Sequence, residues 1–315
     1  MEKVTGGWFW VAGMSDMRVR GEFRFDTDAD PEVTLESGLV NDPRMRQLPG
    51  GVGFSGTAGD SVASFLPVTL HGQLDTSERI TMLGARNHGG SGRLFRLPKP
   101  RYVADTAVLG EHMDLAQAVH AIRFRLGHRC WLDQLSADAS VGNEYGAVLG
   151  IEPAQDGNWL VYSPATPETL RRLKVLVVYG VRALMELAFD QSLGAEEVEL
   201  RAAPHGPWRT LLTNRPNTAA TRTPMESLLP REVLTLDVIA NWIPLNDELD
   251  GLAAAVVSPN KGALQAETLI VTSLVEGIHR RLPYQQSKFP GISRKARKAI
   301  YRRSPTRRAG RIREP

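Results

Sequence analysis

Cysteine is all but missing: Cys130 stands alone in 315 residues. No disulfide can close within the chain and no all-cysteine metal cluster can be built, so a reducing cytoplasm is the expected compartment. Long apolar runs are also lacking. The longest, Val175 to Phe189, is cut by Arg182 and Glu186 and falls short of the ~20 apolar residues that a membrane-spanning helix needs. The run Trp8 to Met14 follows Lys3 without a small-residue cleavage pattern, which argues against a secretory signal. Neither membrane insertion nor export is expected. Lysine is scarce, 7 against 31 arginines, a bias that fits GC-rich bacterial coding and multiplies chance arginine patches. No Ser-centred nucleophile elbow, Walker A loop or His-Glu-x-x-His helix occurs, so an independent hydrolase is not expected.

What is present suffices for folded cores: 42% of residues are hydrophobic and 23% charged, ordinary for a globular chain of about two domains. The net charge of +3 hides an asymmetry. Residues 280–315 carry 13 of the 38 basic residues and one acid, Glu314, which leaves residues 1–279 at a net −9. The body is acidic and the tail basic.

Over the first ~160 residues the pattern is that of short strands separated by Gly, Pro, Asp and Asn. Val19 to Phe25 alternates and leads through a turn cluster to Val33-Thr34-Leu35, and Val68 to Leu74 leads through Asp75–Glu78 to Arg79–Leu83. In Ile122 to Leu126 the apolar residues fall on one face and Arg123 and Arg125 on the other, as a period of two requires. A sandwich or barrel-like domain is expected over 1–162. From Thr166 the period changes: Thr166 is read as an N-cap with Pro167 at the first helical position, and Leu170, Leu173, Val177, Val181, Leu184 and Ala188 recur at helical steps towards Gly194. An α/β continuation is expected over 163–224, with Val198-Glu199-Leu200 as a strand and Asn214 to Pro224 as a linker. Three helical stretches follow over 225–289, Val233–Trp242, Leu245–Val257 and Ala263–Leu282, divided by Pro244 and by Ser258-Pro259-Asn260. In the last of them Leu264, Thr268, Val271, Val275 and Ile278 form a stripe that needs a packing partner. Residues 290–315 lose the pattern, and a basic disordered tail is expected there. The fold class is therefore α+β.

Several motifs invite chemistry and have plainer readings. Gly51-Val52-Gly53-Phe54-Ser55-Gly56 matches the dinucleotide fingerprint in letters, but no apolar strand leads in and no helix pattern follows, so it reads as a loop. Glu276 and His279 lie three apart on the last helix, yet a carboxylate-bridged metal centre needs a second such pair, and none exists; they read as a polar helix pair. His112, His120 and His128 are eight apart, a spacing without meaning if a strand intervenes. No cofactor or metal is expected. Arg294, Lys295, Arg297, Lys298, Arg302, Arg303, Arg307 and Arg308 are candidate contacts to nucleic-acid phosphates, although aromatics are lacking after Tyr301.

Taken together, Arg18–Phe25, Leu70–Leu83, Val103–His112, the Trp131 region, the helix Leu170–Phe189, and Trp242 followed by Glu267–Arg281 resemble the N-terminal region of ApeA-type proteins. These are bacterial anti-phage defence proteins in which a β-rich part precedes a helical HEPN ribonuclease domain. The likeness covers roughly residues 8–290. It implies a recognition part of an abortive-infection system, answering a phage-derived trigger, with Glu276, His279 and Arg280 as the family-signature helix. HEPN ribonucleases carry Arg-x(4–6)-His late in the helical domain, where the His moves a proton and the Arg steadies phosphoryl charge. Here the match Arg123-Phe124-Arg125-Leu126-Gly127-His128 lies in the β-rich part and has Phe124 where a polar residue belongs, and His279 is the last histidine. The resemblance therefore implies a chain that starts a HEPN-type bundle without its catalytic pair, the front part of a longer design. Two rival expectations stand beside it: a metal-independent ribonuclease completed by a HEPN-bearing partner chain or a homodimer, and an RNA-binding adaptor that uses the basic tail.

Overall fold

A computed structural model describes residues 3–26, 29–39, 45–48, 51–54, 66–88, 99–127, 132, 135, 139–155, 157–189, 193, 195–213, 228–229, 231–249, 252–257 and 264–281. The chain divides into two compact units, Met1–Leu245 and Asn246–Pro315. The first is strand-rich with one long helical rod, and the second is helical where it is described, so the fold is α+β. Among the described residues no helix is long and apolar enough to cross a membrane. The basic tail, with every candidate contact from Arg294 to Arg308, lies outside the described residues.

The N-terminal half of the first unit is a closed antiparallel barrel. Strands β1 (Lys3–Val11), β2 (Val19–Phe25) and β3 (Glu32–Leu35) pair in sequence order. On the other side of β1 lie β6 (Val68–Leu74) and then β7 (Arg79–Asn87). The short β8 (Arg101–Val103) closes the ring, pairing with β3 on one edge and with Arg86 and Asn87 of β7 on the other. Six strands enclose little space, since about eight are needed for an interior that ordinary side chains just fill. The sequence meets this with glycine and alanine at inward positions. Gly72 is paired with Phe9, whose ring is fully buried, and a Cβ placed on Gly72 would stand 2.6 Å from that ring. Strands β4 (Met45–Leu48) and β5 (Gly51–Phe54) form a separate hairpin. The Gly51–Phe54 part of the fingerprint-like stretch is thus a hairpin strand rather than a loop, and Ser55 and Gly56 lie outside the described residues.

From β7 the sheet continues through β9 (Thr106–Leu109), β17 (Arg209–Leu212), β16 (Ala195–Arg201), β11 (Ala121–Leu126), β14 (Trp159–Ser163) and β13 (Val148–Glu152) to β12 (Ser140–Gly142). One face of this extension, with Ile122, Phe124, Leu160 and Leu200, is buried against a helical rod. The rod consists of α1 (Leu170–Leu173), a π-helical segment Lys174–Tyr179 and α2 (Gly180–Phe189). It starts later than the sequence pattern indicates. Glu168–Thr169 form β15, paired with β10 (Ala118–Val119), and Thr169 rather than Thr166 caps the helix, its hydroxyl accepting from the Arg172 amide at 3.4 Å. Strand pairing of Glu168–Thr169 keeps these two residues out of the helix and overrides the local capping signal.

Helix α3 (Leu236–Glu248) contains Pro244 instead of ending at it. Proline removes one backbone donor and crowds the preceding turn; buried Ile239, Ala240 and Ile243 offset this, and the Trp242 indole donates to the Gly180 carbonyl at 2.7 Å. In the second unit α4 (Leu252–Val257) packs on α5 (Leu264–Arg281). The inward side of α5 is Val271, Leu274, Gly277 and Ile278, all half-buried, whereas Val275 is 49% exposed. The stripe is therefore rotated from the one read off the sequence, because Gly277 lets Leu252 approach its backbone.

Candidate functional site

Four arrangements of chemistry-bearing side chains stand among the described residues of the first unit. The first lies on the outer wall of the barrel. Outward positions on paired strands place Trp10 beside His71 and His71 beside Thr81. The segment after β9 then crosses this row. The His112 ring stacks on His71 at 4.6 Å with planes 6° apart, Trp10 meets both rings edge-on, and the Arg18 guanidinium sits 4.8 Å from Trp10. Each imidazole is bound beyond the other: His71 Nε2 contacts the Met113 carbonyl at 3.1 Å and His112 Nε2 the Gly72 carbonyl at 3.0 Å. Thr81 completes the clasp, its hydroxyl donating to the Glu111 carbonyl and accepting from the Met113 amide.

Burial holds the His112 imidazole below its ordinary value, and nearby His71, Arg79 and Arg18 act in the same sense against the hydrogen bond to Gly72. The consequence for stability has a definite sign. As pH falls through 6.5 an unfolded chain takes up this proton before the folded one does, so stability falls from there downward until folded His112 also protonates. Urea midpoints measured from pH about 7 to about 5 should therefore decline, and His112→Gln should decline less steeply. Parallel curves for the two proteins would show that His112 is not the group responsible.

The second arrangement surrounds Arg20 on the same barrel. Its guanidinium bonds Asp75 through both nitrogens at 2.6 and 2.5 Å, and this bond holds the Asp75 carboxyl below the usual range. A cleft of about 250 Å³ opens beside it, lined by Gly6, Arg20, Glu22, Thr34, Glu36 and Lys99. Its cations and acids are mixed, which gives no single charge to a ligand.

The third arrangement covers the sheet face turned away from the helical rod. Five side chains alternate in the order Arg125, Trp159, Arg123, Trp208, Arg201, with guanidinium-to-ring distances of 4.0, 4.5, 4.6 and 4.0 Å. Registry builds the ladder: Arg123 and Arg125 alternate on β11 opposite Glu199 and Glu197 of β16, and Arg201 is the next outward position on β16. Arg125, fully buried, bonds Glu197 at 3.0 Å and the Gly157 carbonyl at 2.9 Å. Arg123 bonds Glu199 at 2.5 Å and Glu152 at 2.7 Å.

A further pair marks the π-helical segment, a feature frequent at functional sites. Its i→i+5 bonding brings Lys174 and Tyr179 to one side, with the ammonium 6.0 Å from the ring. Lys174 donates to the Thr106 hydroxyl at 2.6 Å. Burial pushes the Lys174 amine down, against the pull of Asp105 and Asp30, and pushes the Tyr179 phenol up.

The residues singled out from sequence fare differently. Glu276 is exposed on α5, and His279 and Arg280 belong to the same helix but their side chains lie outside the described residues. Arg123, the arginine of the Arg-x(4)-His match, is a ladder rung, and His128 lies outside the described residues. His112 is paired with His71 on the outer barrel wall rather than with His120. No group of three or more His, Cys, Asp or Glu side chains suited to a metal ion occurs among the described residues. The ladder arginines were visible as the outward half of an alternating strand, but nothing local tied them to Trp159 and Trp208. No protein-family model, curated protein or solved structure matches the chain.

Proposed function

We propose that this chain is the recognition part of a bacterial anti-phage defence protein of the ApeA type, acting in the cytoplasm on a phage-derived trigger. RNA cleavage is the work of a HEPN-bearing partner chain or a further HEPN segment, not of these residues alone. The carrying observation is the state of Arg123. In the single Arg-x(4–6)-His match of the sequence, the arginine is bonded to two carboxylates and lies over two indoles. A guanidinium so neutralised and held is poorly suited to steadying charge on a transferring phosphoryl group, which needs a cation aimed at the reacting atoms. The rigid aromatic and ionic arrays on the β-rich unit suit binding, which gains from side chains ordered in advance.

The purified, monodisperse chain is expected to leave RNA intact in the presence of a chelator. Cells producing it together with a HEPN-bearing partner are expected to plate phage less efficiently than cells producing either alone. Cleavage by the chain on its own, lost on His279→Ala, would overturn the assignment, as would unchanged plating with the partner present.

A further inference from the structure

The Arg–Trp ladder has one rung that differs from the others. Arg125 bonds Glu197 and lies over Trp159, and Arg123 bonds Glu152 and Glu199 and lies over Trp159 and Trp208. Arg201 has the same aromatic support, stacking on Trp208 at 4.0 Å, but no hydrogen-bond or ion-pair partner for its guanidinium among the described residues. Its Nε is buried and unsatisfied, as is that of Arg125, but Arg125 bonds Glu197 and the Gly157 carbonyl through its other nitrogens. Registry shows why the paired strands do not supply an acid among the described residues. The residue opposite Arg201 on β11 is Ala121, and the nearest outward acid on its own strand, Glu199, is already engaged by Arg123. A buried donor left without an acceptor costs about 1–3 kcal/mol, so native proteins rarely keep one without a use.

We propose that Arg201 is an anion-binding rung that accepts a ligand oxyanion, carboxylate or phosphate, in the place that Glu197 and Glu199 fill for the other two arginines. The chemistry favours this over a purely structural role. A guanidinium stays charged, presents its donors in a planar fork that matches both oxyanions, and is held here by an indole on its face, so little freedom is lost when an anion meets its edge. Trp208 already carries two guanidiniums, Arg123 at 4.6 Å and Arg201 at 4.0 Å; the ladder therefore offers the ligand a charged edge and not a bare aromatic platform. The inference deepens the recognition reading and rests on it for the view that the β-rich unit is where a ligand is met.

The test is a titration of the full chain with inorganic phosphate and, separately, acetate, at constant ionic strength against chloride. It is followed by heteronuclear NMR of the arginine Nε–H and tryptophan Nε1–H groups. Saturable shifts of Arg201 Nε–H and Trp208 Nε1–H are expected, and the tighter of the two anions identifies the ligand group as phosphate or carboxylate. Arg201→Gln should abolish saturation, and Arg201→Lys, which keeps the charge but loses the fork, should weaken it about tenfold. Shifts no greater than those with chloride, or wild-type affinity in the Lys variant, overturn the proposal. If the Gln variant fails to fold, the wild-type titration and the Lys variant still decide. Absence of anion binding with phage protection intact removes this rung alone; anion binding without protection keeps the rung and removes the defence role.

Discussion

Trp159→Ala should lower the unfolding free energy by about 3–5 kcal/mol, the range for deleting a buried large aromatic, against a total of about 5–15 kcal/mol for a domain. The indole is 6% exposed and carries two guanidiniums, Arg125 at 4.0 Å and Arg123 at 4.5 Å. Removing it leaves a void and also strips the π-face from two cations, one of them fully buried. A desolvated cation–π contact is worth about 2 kcal/mol or more, so the loss should lie towards the upper end. Trp159→Phe keeps a ring against the arginines and should cost clearly less. Urea denaturation of the two variants checks this, and a loss under about 1 kcal/mol for the alanine variant would show that the ladder contributes little to stability. Trp208 offers the contrast, because it is half-buried and its removal opens less of a cavity.

How much of this was legible beforehand depended on whether the determining contacts were local. Strands β2, β6 and β11 were plain because alternation within seven residues reports which face is buried, and Arg123 and Arg125 do project from the face opposite Phe124. Barrel closure was not plain, since β8 is three residues long and joins strands that lie far away in sequence. The start of α1 was misplaced because pairing between Ala118–Val119 and Glu168–Thr169, fifty residues apart, outweighed a nearby proline and threonine. Pro244 failed as a boundary for the same kind of reason: buried residues on both sides hold the helix together through it. Among the site residues, His112 stood out but its partner could not be guessed, because the β6 position it stacks on is 41 residues away and is brought there by barrel curvature. The cue that was available and bears on closure is glycine inside strand patterns, at Gly21 and Gly72, where two backbones must admit a large side chain.

That cue leads to the second large effect. Gly72→Ala should destabilise the barrel by about 1–3 kcal/mol, and Gly72→Val by more, because both overfill a packed interior. A Cβ at residue 72 would lie 2.6 and 2.7 Å from two Phe9 ring carbons and 2.8 Å from Ile80 Cγ2. Neither neighbour can yield easily: both are fully buried, and the far edge of the Phe9 ring lies 3.3 Å from where a Cβ on Gly21 would be. Backbone entropy pushes the other way, since glycine in a strand interior is worse than alanine by roughly 0.5–1 kcal/mol, but the clash outweighs it. Gly142→Ala isolates the entropic gain. At that exposed end of β12 the nearest atom to an added Cβ is 4.0 Å away, so this variant should gain a few tenths to about 1 kcal/mol. Phe9→Leu supplies the remaining check. Combined with Gly72→Ala it should cost less than the sum of the single changes, by about 0.5–3 kcal/mol, as residues that share one space do. Strict additivity in urea denaturation would mean that Phe9 and Gly72 do not compete for the same volume, and that the six-stranded barrel does not depend on glycine at this strand for its closure.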